Sequence, residues 1–183
     1  VARIYTRTGD DGTTGLIGGT RTTKDSPLIE ACGELDQLNA MIGLVRSNRL
    51  PERADKILEL VQNDLFTIGI EIMTPEATAG SSGGIRDEGV LALEREIDAF
   101  EKELEPLRRF LLPGGSRAAA ELHLTRATAR RIERRCIALA KNQKVSQQIL
   151  CYLNRLSDLF FVMARYLNRH EGVAEPCYAK SGS

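Results

Sequence analysis

The chain has 183 residues, enough for one well-cored domain, and needs no second one. Its 25 Lys and Arg balance 25 Asp and Glu, so bulk charge points to neither nucleic acid nor an acidic membrane surface as a partner. No apolar run approaches the roughly 20 residues of a membrane span, and Val1-Ala2-Arg3-Ile4-Tyr5 has no signal-peptide core, so a cytoplasmic protein is expected. The four cysteines (Cys32, Cys136, Cys151, Cys177) show neither a CxxC pair nor metal-ligand spacing. Three of them sit within helical patterns, where a thiol behaves as a small apolar residue.

The chain opens with a glycine-rich segment over residues 6–19. Its five glycines allow positive φ and close approach to a ligand. The hydroxyls of Thr6, Thr8, Thr13 and Thr14 and successive backbone N–H groups are donors for an anion, with Arg7, Arg21 and Lys24 supplying positive charge. Asp10 and Asp11 repel a bare phosphate, so they fit either a cation such as magnesium bridging phosphate oxygens, or a role as caps and turn formers. The GxxxxGK[ST] spacing of a P-loop is absent. No helix or core strand is expected here, only one short extended piece around Tyr5.

Five amphipathic segments follow with helical periodicity. The first starts at Ser26-Pro27, a cap followed by proline at the first helical position, and carries Leu28, Ala31, Leu35, Leu38, Ile42 and Val45 as one stripe. The second runs over about 51–74. Residues 75–84 are small and flexible and read as a surface loop. The third helix is expected over about 87–109, before the turn Phe110-Leu111-Leu112-Pro113-Gly114-Gly115. The fourth spans about 116–141 and the fifth about 145–170. Long helices with mostly short connections predict an all-α, five-helix up-and-down bundle. Leu150 and Phe161 lie away from the main stripe of the fifth helix (Ile149, Leu153, Leu156, Phe160, Met163, Leu167), which suggests burial on two sides and self-association.

The fourth helix is rich in arginine. Arg126, Arg130 and Glu133 form a line at the edge of its buried stripe, while Arg131 and Arg135 are expected to point further out. A salt-bridged surface helix is the ordinary meaning of such a run. The absence of lysine before Lys141 favours bidentate recognition of phosphate or carboxylate. Asp36 and Asn154 flank their own stripes in the same way, so an Asp36–arginine pair across helices or subunits is expected. His123 is alone and is expected to make a structural hydrogen bond.

Five stretches in order resemble the ATP:cob(I)alamin adenosyltransferases of the propanediol-utilisation type. They are Tyr5-Thr6-Arg7-Thr8-Gly9-Asp10-Asp11-Gly12, Gly33-Glu34-Leu35-Asp36-Gln37-Leu38-Asn39, the turn from Phe110 to Gly115, the run from Arg126 to Arg135, and Tyr152-Leu153-Asn154-Arg155-Leu156-Ser157-Asp158. The resemblance implies transfer of the 5′-deoxyadenosyl group of ATP to the cobalt of reduced cobalamin, in a homotrimer with sites between subunits. It implies that Thr6, Arg7, Thr8, Gly9, Thr14, Gly15 and Lys24 bind ATP, completed by Arg130, Arg131, Glu133, Arg134 and Asn154. Asp36 and Arg126 would pair across the interface near the corrin, with Phe110 under the lower face of the cobalt. Arg126, Arg130 and Glu133 are thereby the expected catalytic residues. Magnesium would ride on the phosphates, and a reductase or an adenosylcobalamin-dependent enzyme is an expected partner. In Glu175-Pro176-Cys177-Tyr178 this chain departs from the bulkier aromatic that related chains carry. The competing reading is a helical bundle that senses ATP or serves as a scaffold, without adenosyl transfer.

Overall fold

The computed structural model describes residues 3–74 and 84–179. The loop expected over 75–84 therefore lies outside the described residues, apart from Gly84. Two short strands, β1 (Thr13–Gly15) and β2 (Arg21–Thr23), precede five helices: α1 (Pro27–Arg46), α2 (Glu52–Met73), α3 (Asp87–Glu101), α4 (Arg117–Leu139) and α5 (Gln147–His170). The five-helix expectation is met. The hairpin corrects the expectation of a single extended piece near Tyr5. Thr13, Thr14 and Gly15 pair antiparallel with Thr23, Thr22 and Arg21. Three-residue strands are too short to show an alternating pattern, and neither strand contributes to the core.

Serines set three of the helix starts. Ser26, Ser116 and Ser146 accept the backbone N–H groups of Ile29, Ala119 and Ile149 at 3.3–3.4 Å, satisfying donors that the first turn leaves free. α3 stops at Glu101, eight residues short of the expected Arg109. Pro106 is the cause, because it cannot donate to a helix and it disfavours helical geometry at Glu105. The carbonyls released there are taken by α5: Arg165 donates to Glu105 O at 2.8 Å, and Arg169 donates to Glu103 O.

The helices alternate in direction along the chain, but neighbours in sequence are not always neighbours in space. α1 packs on α2 and α4, α4 on α5, and α5 on α3. Glu94 with Arg155 and Asp87 with Gln148 show that α3 and α5 run parallel. One continuous apolar core fills the interior, from Leu35, Leu38 and Ile42 of α1 through Leu122 and Ile132 of α4 to Leu153, Leu156 and Phe160 of α5. Leu150 and Phe161, the second apolar face of α5, already pack partly against this core. Their position is thus explained in part within one chain.

Candidate functional site

The glycine-rich opening is held by its own side chains. Asp11 accepts from the Thr13 amide at 3.0 Å and from its hydroxyl at 2.7 Å. Chiefly because of the bond from the Thr13 backbone, its carboxyl stays below the usual range. Arg21 donates to the Thr13 hydroxyl and to Thr8 O, and lies 3.7 Å from Asp11. Of the two roles open to the acidic pair, Asp11 therefore takes that of turn former. Lys24 donates to Gly9 O at 2.7 Å, closing the loop onto itself. Arg7 takes a left-handed φ of 62°, which turns the backbone between Thr6 and Thr8, whose hydroxyls are 2.8 Å apart. The result is a compact, exposed cradle in which Thr6, Arg7, Thr8, Gly9 and Lys24 are brought together, with Thr14 and Gly15 on the adjoining strand.

On α4 the arginines separate into two sets. Arg131 donates to Gln37 at 2.8 Å and lies 3.4 Å from Glu34, while Arg135 lies 3.3 Å from the other Glu34 oxygen. These two turn toward α1 instead of pointing outward, because the packing of α1 on α4 presents Glu34, 8% exposed, between them. Arg134 folds back onto the Arg130 carbonyl at 3.0 Å. Among the described residues the Arg130 guanidinium meets no acceptor. Arg126 lies 5.9 Å over the Phe161 ring, and its Nε is buried without a hydrogen-bond partner.

Asn154 of α5 donates to Glu133 at 2.8 Å, so two expected site residues from different helices meet beside Arg130. Arg155 was missed among the individual site residues, although it stands in the matching stretch. It donates to Asn154 Oδ1 at 2.7 Å and to Glu94 at 2.8 Å, fixing the amide so that its nitrogen faces Glu133. His123 is 5% exposed and lies tilted against Phe161, with ring centroids 6.1 Å apart and planes at 59°. Among the described residues its Nδ1 meets no hydrogen-bond partner, so the expected structural bond is not seen at that nitrogen. Burial first, and the charge of Arg126 second, push its pKa down and keep the ring neutral.

Asp36 is exposed on α1, and among the described residues it forms no ion pair with Arg126. Phe110 is 83% exposed, at the start of the turn before α4. The C-terminal tail runs beside it: Tyr178 N donates to Phe110 O and Leu112 N to Pro176 O, both at 2.8 Å. No hydrogen bond or ion pair among the described residues joins the opening to Arg126, Arg130, Glu133 or Asn154. A cavity of about 590 Å³ at the hairpin end, lined by Leu16, Thr20, Met73, Arg86 and Ser146 among others, touches none of the expected site residues. Among the described residues no group of three or more His, Cys, Asp or Glu is placed to hold a metal, and no helix is long and apolar enough to cross a membrane.

Residues 4–167 match the sequence profile of the cobalamin adenosyltransferase family. A corrinoid adenosyltransferase of Bacillus subtilis is 42% identical over 183 residues, covering 98% of this chain and 93% of the relative. The corrinoid adenosyltransferase PduO of Salmonella typhimurium is also 42% identical, over 88% of this chain but only 48% of its own length. A variant PduO-type ATP:corrinoid adenosyltransferase from Lactobacillus reuteri, solved with cobalamin and ATP, superposes with a TM-score of 0.92 at 34% identity, covering 97% of this chain and all of that one. The cradle, the arginine helix and the Phe110 turn thus lie in a chain that belongs to the cobalamin adenosyltransferase family.

Proposed function

We propose that this protein transfers the 5′-deoxyadenosyl group of ATP to Co(I) of a reduced corrinoid, at a site shared between neighbouring subunits of a homotrimer. One observation carries the shared site. The opening is closed by its own contacts and, among the described residues, makes no hydrogen bond or ion pair with Arg130, whose guanidinium meets no acceptor among those residues and stands near the Glu133–Asn154 pair. A charge held open at that place suits an anion brought by another chain. The triphosphate of ATP fills this role, cradled by Thr6, Arg7, Thr8, Gly9, Thr14, Gly15 and Lys24 on one side. Arg130, Arg134, Glu133 and Asn154 complete it on the other. Arg131 acts more remotely, since Glu34 already engages it.

The chemistry needs no general base. The electron pair of Co(I) attacks C5′, the C5′–O bond breaks, and its electrons leave with the triphosphate as cobalt becomes formally Co(III). The protein aligns the two reactants and meets the charge that grows on the leaving group. Magnesium would be carried by phosphate oxygens, since Asp11 is committed to its turn. Phe110 presents an apolar surface to the lower face of the corrin, and Arg126 pairs with Asp36 of a neighbouring subunit. A reductase supplies the Co(I) state. The four free thiols suit a reducing, cytoplasmic setting.

Anaerobic mixing with ATP and chemically reduced cobalamin tests the reading. The adenosylcobalamin spectrum should appear with one triphosphate released per transfer. ATP binding without that spectrum would favour a nucleotide-sensing bundle.

A further inference from the structure

We infer that Arg165 is a positioning residue for the Phe110 turn, acting through a latch on the C-terminal tail. Resting on the corrin reading of Phe110 above, this goes beyond it by naming what holds that residue in place.

Phe110 is 83% exposed, so side-chain packing does little to fix it. Its position depends on backbone contacts, and these belong to the tail. Leu111 bridges to Cys177 in antiparallel fashion, with Tyr178 N bonded to Phe110 O and Leu112 N to Pro176 O. A lone pair of extended segments is weak unless something ties it to the core. That tie comes from α5. Arg165, whose side chain is 7% exposed, donates through Nε to Glu175 Oε1 at 3.0 Å and through a terminal nitrogen to Glu105 O at 2.8 Å. It grips the tail on one side and the chain leading to Phe110 on the other.

One turn on, Asn168 is 1% exposed and secures the far end of the same turn. It donates to Gly114 O at 3.2 Å and accepts from Ser116 N at 2.8 Å. Gly115 has a φ of 107°, and a side chain there would collide with the Asn168 amide. Phe110 is thus suspended between two buried polar side chains of α5. A buried charge is costly unless paired, and such pairs are best attested where they specify one arrangement. Here the arrangement is the register of tail and turn.

The test compares Glu175→Gln, Arg165→Lys and Phe110→Ala in the full-length protein. Arg165→Met risks misfolding, whereas Glu175→Gln loosens the latch from the tail side. For Glu175→Gln, KM for reduced cobalamin should rise roughly ten- to a hundredfold, as for a modest misplacement of a reacting-site group. KM for ATP should stay unchanged, and amide exchange at Leu112 and Tyr178 should quicken. Arg165→Lys, which keeps the charge, should lie between this variant and the parent. Equal changes in both KM values, or no change in either, would overturn the inference. If Phe110→Ala raises the corrin KM and Glu175→Gln does not, the latch is wrong and the corrin reading stands. If Phe110→Ala leaves the corrin KM untouched, that reading fails and the latch loses its purpose with it.

Discussion

The seam between α1 and α2 and the seam between α4 and α5 are both polar in places, but they use their polarity in opposite ways. In the first, Asn39 and Gln62 exchange three hydrogen bonds of 2.8–3.0 Å. Arg46 bonds Asp55 at 2.7 Å and Gln62 at 2.9 Å, which holds the Asp55 carboxyl below its usual range. Each of these polar groups finds a partner in its own chain. In the second, among the described residues, Arg126 buries an Nε with no acceptor and His123 a ring nitrogen with none, while Arg130 nearby is exposed to solvent. Burying polar atoms unpaired is expensive, and a fold tolerates it where a ligand or another subunit completes the bonding. The bonds of the α1–α2 seam are internal scaffold, whereas two unsatisfied groups of α4 lie among or beside the residues proposed for the site.

Removing Arg130 should break that contrast most sharply. Arg130→Ala is expected to lower transfer by about 10²–10³-fold, as for loss of one group that stabilises charge in a transition state. Its unfolding free energy should stay within about 0.5 kcal/mol of the parent, because the side chain is exposed and its guanidinium makes no bond among the described residues. Steady-state kinetics and circular-dichroism melts would check both. Asn39→Ala should do the reverse. Denaturant unfolding should show a loss of about 1–3 kcal/mol from the two bonds made by the Asn39 side-chain amide, while Gln62 keeps the Asn39 carbonyl and Arg46, with activity per folded molecule unchanged.

Within the opening, Gly9→Ala is a finer probe. A Cβ there would come within 3.1 Å of both Lys24 Nζ and Thr13 O, so the lysine must shift by a few tenths of an ångström against its bond to Gly9 O. KM for ATP should rise about tenfold, equivalent to roughly 1.4 kcal/mol of binding, while KM for cobalamin stays constant. The smallest effect belongs to His123. Its folded-state pKa lies below the usual 6.5, so the unfolded chain binds the proton more readily. The stability it contributes is full above 6.5 and is lost as pH falls through the lowered folded value. Melting temperature should therefore decline on acidification below that point, and His123→Gln should flatten the decline.

Much of this was legible in the residues. Ser26, Ser116 and the apolar stripes marked helices that the structure contains, and the family resemblance grouped Glu133 with Asn154, which meet in the structure. Where the reading failed, the deciding force was nonlocal or the segment too short. Glu34 draws Arg131 and Arg135 inward only because α1 packs on α4, and nothing near those arginines in sequence announces it. β1 and β2 fall below the length at which alternation registers. Pro106 marks the end of α3 in the sequence, and the span expected to reach Arg109 runs past it. Arg165 also left a signal, as a charged residue within the apolar run Phe160-Phe161-Val162-Met163-Ala164. Its partner Glu175 becomes apparent only when the tail folds back.

The division of the triphosphate clamp between two chains is the central claim, and mixed assemblies test it most directly. In the proposed homotrimer Lys24→Ala should disable the opening and Arg130→Ala the helix, so each variant on its own should be nearly inactive. Co-expressed as separately tagged chains and purified as mixed trimers, they should regain activity. Counting in a cyclic trimer gives about one intact site in three, built from the sound opening of one subunit and the sound helix of its neighbour. Mixed trimers as inactive as either parent would place both halves of the site within one chain and contradict the account.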